Sequence, residues 1–85
     1  MARYKLLFKK SVSKDFRALP KKDVRKILER INVLADDPRS SACKKLSGQE
    51  FFRVRQGVYR IIYEIIDDHL IIHIIKVGHR STAYK

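Results

Sequence analysis

The spacing of hydrophobic residues changes twice along the chain, from alternate positions to a helical period and back. In residues 3–8, Tyr4, Leu6 and Phe8 share one side, which is typical of a half-buried strand. Between residues 12 and 35 the apolar positions lie three or four apart, which predicts helices. After residue 50, β-branched and aromatic residues dominate, which favours strands. The sequence therefore predicts a strand, then helices, then a sheet.

Two helices are predicted on either side of Pro20, because proline ends one helix and is tolerated in the first turn of the next. In the first helix, Val12, Phe16 and Leu19 form one apolar stripe. The second carries a longer stripe, made of Val24, Ile27, Leu28, Ile31, Leu34 and Ala35. Helices joined this tightly are expected to form a hairpin that lies on the sheet.

Three strand-like segments follow, at about residues 50–55, 58–66 and 70–77. Gln56-Gly57 predicts a tight hairpin loop, since glycine tolerates a positive φ, and Asp67-Asp68 predicts a second turn. The predicted fold is α+β, in the order β-α-α-β-β-β, with the helical hairpin on one face of a four-stranded, mostly antiparallel sheet. With 85 residues, a single domain over 1–85 is expected.

The chain is strongly basic, with twenty Lys and Arg against nine Asp and Glu and a formal net charge of +11. Such a charge favours polyanions or an acidic protein partner. Cys43 is the only cysteine, which favours a reducing compartment. Because every apolar run is strand-sized, no membrane span is predicted and a cytoplasmic protein is expected. Carboxylates and histidines are scattered, so neither a metal site nor a cofactor is expected.

An arginine cluster is predicted on the side of the sheet away from the helices. With a two-residue loop at 56–57, Arg53 lies opposite Arg60, and Arg55 shares their face. Two arginines opposite each other destabilise a strand pair, and the segment that carries them has no acidic residue. Guanidinium groups offer planar forks to phosphate oxygens, which favours a phosphodiester ligand; a solvated basic surface is the alternative.

The C-terminus adds His79, Arg80 and Tyr84 as candidates. Histidine is able to donate or accept a proton near neutral pH, Arg80 could extend the cluster, and Tyr84 could contact a base or ribose. Ordinary structural roles for His79 and Tyr84 stay open. Arginines without a metal fit one reaction, in which the 2′-hydroxyl of RNA attacks its own phosphorus while the protein aligns the groups and stabilises the charge.

Four segments together resemble the RelE/ParE toxin superfamily: Lys45-Leu46-Ser47-Gly48, Phe52-Arg53-Val54-Arg55, Tyr59-Arg60-Ile61-Ile62-Tyr63 and Val77-Gly78-His79-Arg80, with a tyrosine near the end. The resemblance covers nearly the whole chain. It implies a RelE-type mRNA interferase, the toxin of a type II toxin–antitoxin system, which cleaves mRNA in the A site of the 70S ribosome and is bound by a RelB-like antitoxin. It also implies a transition-state role for Arg60, a phosphate or leaving-group role for Arg80, and base stacking by Tyr84.

The sequence departs from that pattern at Arg53 and Arg55, where well-studied members carry lysines with acid–base duties. Arginine is a poor proton shuttle because it stays protonated. These two residues are therefore expected to hold phosphate, and proton transfer would fall to His79, to Tyr84 or to a ribosomal group.

Two further functions stay open on the sequence alone. One is a ParE-like toxin on the same fold, which inhibits DNA gyrase and cuts nothing. The other is a basic module that only binds nucleic acid or the ribosome, for which the net charge suffices. The arginine face and the Val77-Gly78-His79-Arg80 ending favour the nuclease, because an inhibitor does not need a converging phosphate site.

Overall fold

The computed structural model describes residues 3–39, 43–46 and 51–79. This part of the chain contains helices α1 (Lys10–Arg17) and α2 (Lys21–Leu34) and strands β1 (Lys5–Phe8), β2 (Lys44–Lys45), β3 (Phe51–Gln56), β4 (Tyr59–Ile66) and β5 (Ile71–His79). The strands form one sheet in the order β1-β5-β4-β3-β2. β1 runs parallel to β5, and the other neighbours are antiparallel. The predicted α+β fold is confirmed.

The prediction of four strands misses the short edge strand β2. Lys44 pairs with Arg53 and Lys45 with Phe52, so β2 extends the sheet beyond β3. A strand of two residues has too few positions to show alternation, and it lies in a segment whose polar composition predicts a loop.

The core lies between the helices and one face of the sheet. On α2, Ile27, Ile31 and Leu34 are at most 1% exposed, as their spacing predicts. Leu28 belongs to the same predicted stripe but is 41% exposed. It lines two surface grooves, one of which it shares with Phe16 of α1, and so lies at the margin of the core.

A β-bulge interrupts the alternation of side chains in β5. Ile62 of β4 pairs with Lys76, but the next residue, Tyr63, pairs with Ile74, so Ile75 is an extra residue on β5. A bulge of one residue turns the side chains that follow it to the opposite face.

The burial pattern of β5 follows the bulge. Ile72 and Ile74 are buried before it, and Val77 is buried after it, three positions beyond Ile74 instead of two or four. As a result, Gly78 shares a face with Arg60, and His79 shares a face with the core.

The turn between β4 and β5 is a 3-10 turn over Asp67–His69, followed by Leu70 at φ 52°. This confirms the turn that the two aspartates predict. Asp67 accepts hydrogen bonds from the Tyr4 hydroxyl at 2.8 Å and from the Arg39 guanidinium at 2.7 Å. These contacts connect the turn to the start of the chain and to the segment that follows α2.

Candidate nucleic-acid interface

The β3–β4 hairpin closes through Gly57 and Val58, because Gln56 and Tyr59 are the last paired residues. Gly57 has φ +61°, and a glycine with positive φ at the first of two loop positions is typical of a type II′ turn. The predicted loop, Gln56-Gly57, is therefore wrong by one residue. Gln56 belongs to the strand, where its side-chain carbonyl accepts a hydrogen bond from Arg30 of α2.

The loop position sets which arginines oppose each other. Arg55 pairs with Arg60, and Arg53 pairs with Ile62. The predicted pairing of Arg53 with Arg60 is therefore wrong, because moving the loop by one residue shifts each partner by two. A shift of two leaves every side chain on the same face. The structure thus brings Arg53, Arg55 and Arg60 together on the face of the sheet away from the helices.

Arg60 lies in the middle of this arginine face, on the strand between β3 and β5. Its partner on β5 is Gly78, which has no side chain to cover the guanidinium. The residue is half-buried and its Nε is fully buried, whereas Arg55 is exposed. Next to Arg60 along β4, Ile62 is only 8% exposed and gives the face an apolar base. Arg60 is therefore held by the sheet, and Arg55 has more freedom to move.

Lys44 is a fourth cation at this face, and the sequence analysis missed it. It pairs with Arg53 across the β2–β3 edge, so the two side chains share a face. Lys44, Arg53 and Arg55 line a groove of about 330 Å³. The only sequence signal is that Lys44 directly precedes the first segment of the family resemblance. A groove with three cations suits a chain of phosphates.

The carboxylate of Glu64 lies on the same face of β4, four residues beyond Arg60. It bonds to Nδ1 of His73, which lies opposite it on β5, at 2.8 Å. At about 3.3 Å per residue, Glu64 is roughly 13 Å from Arg60 along the strand. The Glu64–His73 pair therefore lies too far along the strand to share one phosphate with Arg60. His73 has the hydrogen-bonded role that its position among isoleucines predicts.

His79 is not brought together with the arginines. It pairs with Tyr59, and its ring lies edge-on to the Tyr59 ring with the centroids 6.2 Å apart. The Tyr59 hydroxyl donates to Asp23 of α2 at 2.7 Å, which marks this as the helix-facing side. This hydrogen bond raises the pKa of the Tyr59 hydroxyl. The expectation that His79 lies near the arginines is therefore corrected, because the bulge in β5 turns it to the other face.

The predicted site residues Arg80 and Tyr84 lie outside the described residues. Within residues 3–39, 43–46 and 51–79, no three His, Cys, Asp or Glu side chains come together in a group that could hold a metal ion. In the same ranges, neither helix has the length and apolar character needed to cross a membrane.

Among known protein families, the chain matches the one described as the ParE toxin of the type II toxin–antitoxin system. Its family model matches residues 6–84. The chain belongs to the RelE/ParE toxin family. It is a toxin of a type II toxin–antitoxin system.

Relatives of this toxin include proteins with RelE names. The putative toxin RelE1 of Methanocaldococcus jannaschii is 38% identical over 80 residues, which cover 89% of each chain. Among solved structures, a chain of the RelE–RelB complex from Pyrococcus horikoshii is 32% identical, with a TM-score of 0.80 over 95% of the toxin and 99% of that chain. A chain of the toxin–antitoxin complex RelBE2 from Mycobacterium tuberculosis is 28% identical. Its TM-score is 0.84, and the match covers 93% of the toxin and 100% of that chain.

Proposed function

We propose that the toxin is a ribosome-dependent endoribonuclease that cleaves mRNA in the A site without using a metal ion. The observation that carries the proposal is the placement of Arg53, Arg55 and Arg60 on the face of the sheet away from the helices, with Lys44 beside them. The RelE names of its relatives support the same activity.

In the proposed reaction, the 2′-oxygen of the mRNA attacks the adjacent phosphorus and the bond to the 5′-oxygen of the next nucleotide breaks. The products are a 2′,3′-cyclic phosphate and a 5′-hydroxyl end. Arg60 stabilises the negative charge that grows on the non-bridging oxygens, because the sheet holds its guanidinium in place before the substrate arrives. Arg80 contacts the same phosphate or the leaving oxygen, as the family resemblance implies.

Arg53 and Arg55 hold the mRNA backbone in this proposal. Both pair with residues of β4 and line the groove next to Lys44. Each guanidinium is able to donate two parallel hydrogen bonds to a phosphate, which fixes the strand more firmly than a point charge does. Alignment of the 2′-oxygen with the phosphorus then follows from a fixed backbone.

Proton transfer is assigned to Tyr84 or to a ribosomal group. The proton of the 2′-hydroxyl must leave, and the 5′-oxygen must receive one. Arginines are unsuited to either step because they stay protonated. His79 is left out because its ring contacts Tyr59 on the helix-facing side. Dependence on the ribosome follows if the ribosome supplies a missing proton acceptor.

The partners in this proposal are mRNA, the 70S ribosome and a RelB-like antitoxin, all in the cytoplasm. Complexes with RelB-type antitoxins are the form in which several structural relatives were solved. With a formal charge of +11, the toxin would attract an acidic antitoxin as well as RNA.

A second candidate, inhibition of DNA gyrase, is favoured by the ParE description of the matched family. One set of assays separates the two functions. Programmed ribosomes are incubated with the toxin, and mRNA ends are mapped by primer extension. Gyrase supercoiling is measured at the same toxin concentrations.

Cuts at A-site codons, with 2′,3′-cyclic phosphate ends and unimpaired supercoiling, support the nuclease. Intact mRNA together with inhibited supercoiling supports the gyrase inhibitor. Arg17→Ala is the matched control for Arg60→Ala, because Arg17 is an exposed arginine on α1 and its loss changes the net charge equally. If both variants lose cleavage alike, general charge rather than a site explains binding, and the proposal fails.

A further inference from the structure

The helical side of the toxin is also strongly cationic. Residues 9–30 contain nine Lys and Arg but only three Asp and Glu. Two of those three carboxylates are engaged with the sheet: Asp15 accepts from the Val77 amide and lies 3.7 Å from Lys76, and Asp23 accepts from Tyr59. Glu29 is therefore the one carboxylate of this segment without a described contact to the sheet. Most of the cations have no carboxylate of their own segment to neutralise them.

Three of these cations form a row along α2 that we call the basic ridge: Lys22, Lys26 and Arg30. They are four residues apart, so they lie on one stripe and rise about 6 Å per step. Lys22 and Lys26 are exposed, and Arg30 is half-buried with its Nε bonded to Gln56 at 3.4 Å. Among the described residues, none of the three takes part in a salt bridge.

The basic ridge borders a cleft between α2 and the β3–β4 hairpin. Lys26, Glu29, Arg30, Val33 and Gln56 line this cleft, whose volume is about 380 Å³. Gln56 directly follows Arg55 on β3, and alternation puts the two side chains on opposite sides of the hairpin. The arginine face therefore lies on one side of the hairpin, and the cleft beside the basic ridge of α2 lies on the other.

We propose that the basic ridge binds the backbone of a second, double-stranded RNA segment, distinct from the strand that the arginine face holds. The inference rests on the proposed function, since it assigns the ridge to the RNA that surrounds the cleaved mRNA. A duplex suits the ridge because the cations follow a straight row, and double-stranded RNA is recognised chiefly through backbone and shape. Single strands are usually held by stacking on aromatic rings. Tyr59 lines a pocket next to Lys26, but its ring lies edge-on to His79 and its hydroxyl donates to Asp23, so it is engaged within the protein.

An acidic protein is the competing occupant, and the other side of α2 suits it better. There, Phe8, Phe16 and Leu28 line an apolar groove, with Phe8 42% exposed, and Lys9 and Lys10 border it. A protein helix needs such apolar anchors. In the ridge cleft Val33 is the one apolar residue of the lining, and the other four lining residues are charged or polar, so the cleft lacks a set of apolar anchors. We therefore assign RNA to the ridge.

The test measures binding of a fluorescently labelled RNA duplex as a function of salt. The duplex has no unpaired strand to cut, so the result does not depend on whether the toxin cleaves mRNA. The ridge variant is Lys22→Gln/Lys26→Gln/Arg30→Gln. The control, Lys10→Gln/Lys14→Gln/Arg17→Gln, removes three exposed cations from α1 and leaves the same net charge.

The ridge variant should weaken duplex binding by at least about tenfold and reduce the slope of log K against log salt by about 3, roughly one unit per lost phosphate contact. The control variant should change the slope by less than about 1. Circular dichroism and thermal melting confirm that both variants are folded.

Equal losses in the two variants, or an unchanged slope in the ridge variant, would overturn the proposal. A ridge that serves a protein would instead leave duplex binding unchanged and weaken the binding of poly-L-glutamate. Failure of the proposed nuclease appears separately, as intact mRNA on ribosomes with duplex binding still dependent on the ridge.

Discussion

Arg55 and Arg60 lie directly opposite each other on the open face of the β3–β4 hairpin. Like charges opposed across strands cost a few tenths of a kcal/mol to about 1 kcal/mol, and a hairpin selected for stability alone would avoid them. Arg60 also faces Gly78 on its other side, so its neighbour on β5 adds no side chain next to the two arginines. The proposed phosphate ligand would offset the cost of the opposed arginines.

Replacing Arg55 with glutamate is expected to stabilise the toxin and to impair its activity. Arg55→Glu converts the repulsive pair into a cross-strand ion pair, which should raise the free energy of unfolding by about 0.5 kcal/mol. For a domain of this size the melting temperature should rise by about 2–4 °C. Cleavage of ribosome-bound mRNA should fall because a phosphate contact is lost. Arg17→Glu, the same charge change on α1, should give no rise in melting temperature, and a rise there would attribute the effect to net charge.

Arg60 is expected to matter for the chemical step more than for binding. Arg60→Ala should reduce the single-turnover rate at saturating toxin by about 10²–10³-fold, the usual loss when one donor to a developing oxyanion is removed. Arg60→Lys keeps the charge but loses the planar fork, so an intermediate rate is expected. Quenched-flow cleavage of programmed ribosomes measures both rates. An unchanged maximal rate, with only weaker binding, would remove Arg60 from the reaction.

Gly57 is expected to be needed for its backbone conformation alone. Its φ is +61°, and a Cβ added there would meet no atom within 4 Å. Gly57→Ala should therefore lower the free energy of unfolding by about 1–2 kcal/mol, the cost of a left-handed backbone for an L-residue. Gly57→Asn should cost less, because asparagine tolerates this conformation. Denaturant unfolding compares the two variants, and equal losses would show that φ is not the cause.

The stability of the toxin should depend on the charge of Asp67 at neutral pH but not in acid. The hydrogen bonds from Arg39 and then from Tyr4 lower the pKa of the Asp67 carboxyl. A lowered pKa in the folded state means that the stabilisation is complete above the unfolded-state pKa and is lost as the pH falls through the folded-state pKa. Asp67→Asn should therefore lower the melting temperature at pH 7, and the difference from the wild type should shrink in acid. A difference that stays constant down to acid pH would contradict this linkage.

The sequence predicts correctly which side chains share a face of the β3–β4 hairpin, but it does not predict which residues pair across the two strands. Strand alternation fixes that Arg53, Arg55 and Arg60 share a side, and moving the loop by one residue shifts partners by two without altering that parity. The pairing itself depends on whether Gln56 belongs to the loop or to the strand. In the structure Gln56 belongs to the strand, and its side chain accepts a hydrogen bond from Arg30 of α2. The sequence does not reveal this contact.

The placement of His79 was not predictable, because the sequence gives no signal for the bulge at Ile75. Regular alternation from Ile72 and Ile74 would carry residue 79 to the arginine face. The bulge instead buries Val77 and turns His79 toward Tyr59. Lys44 was missed for a related reason, since a two-residue strand leaves no periodic pattern.

The bulge in β5 also marks the position at which the strand tolerates a one-residue deletion. One face of β5 packs on the core through Val77. On the other face, Gly78 lies next to Arg60 of the arginine face. Removing a residue at positions 75–76 restores regular pairing and leaves both surfaces in place, whereas a deletion elsewhere in the strand exchanges inside for outside over part of its length. Homologous toxins whose fifth strand is one residue shorter are therefore compatible with the same arginine face, provided that the missing residue is the one at the bulge.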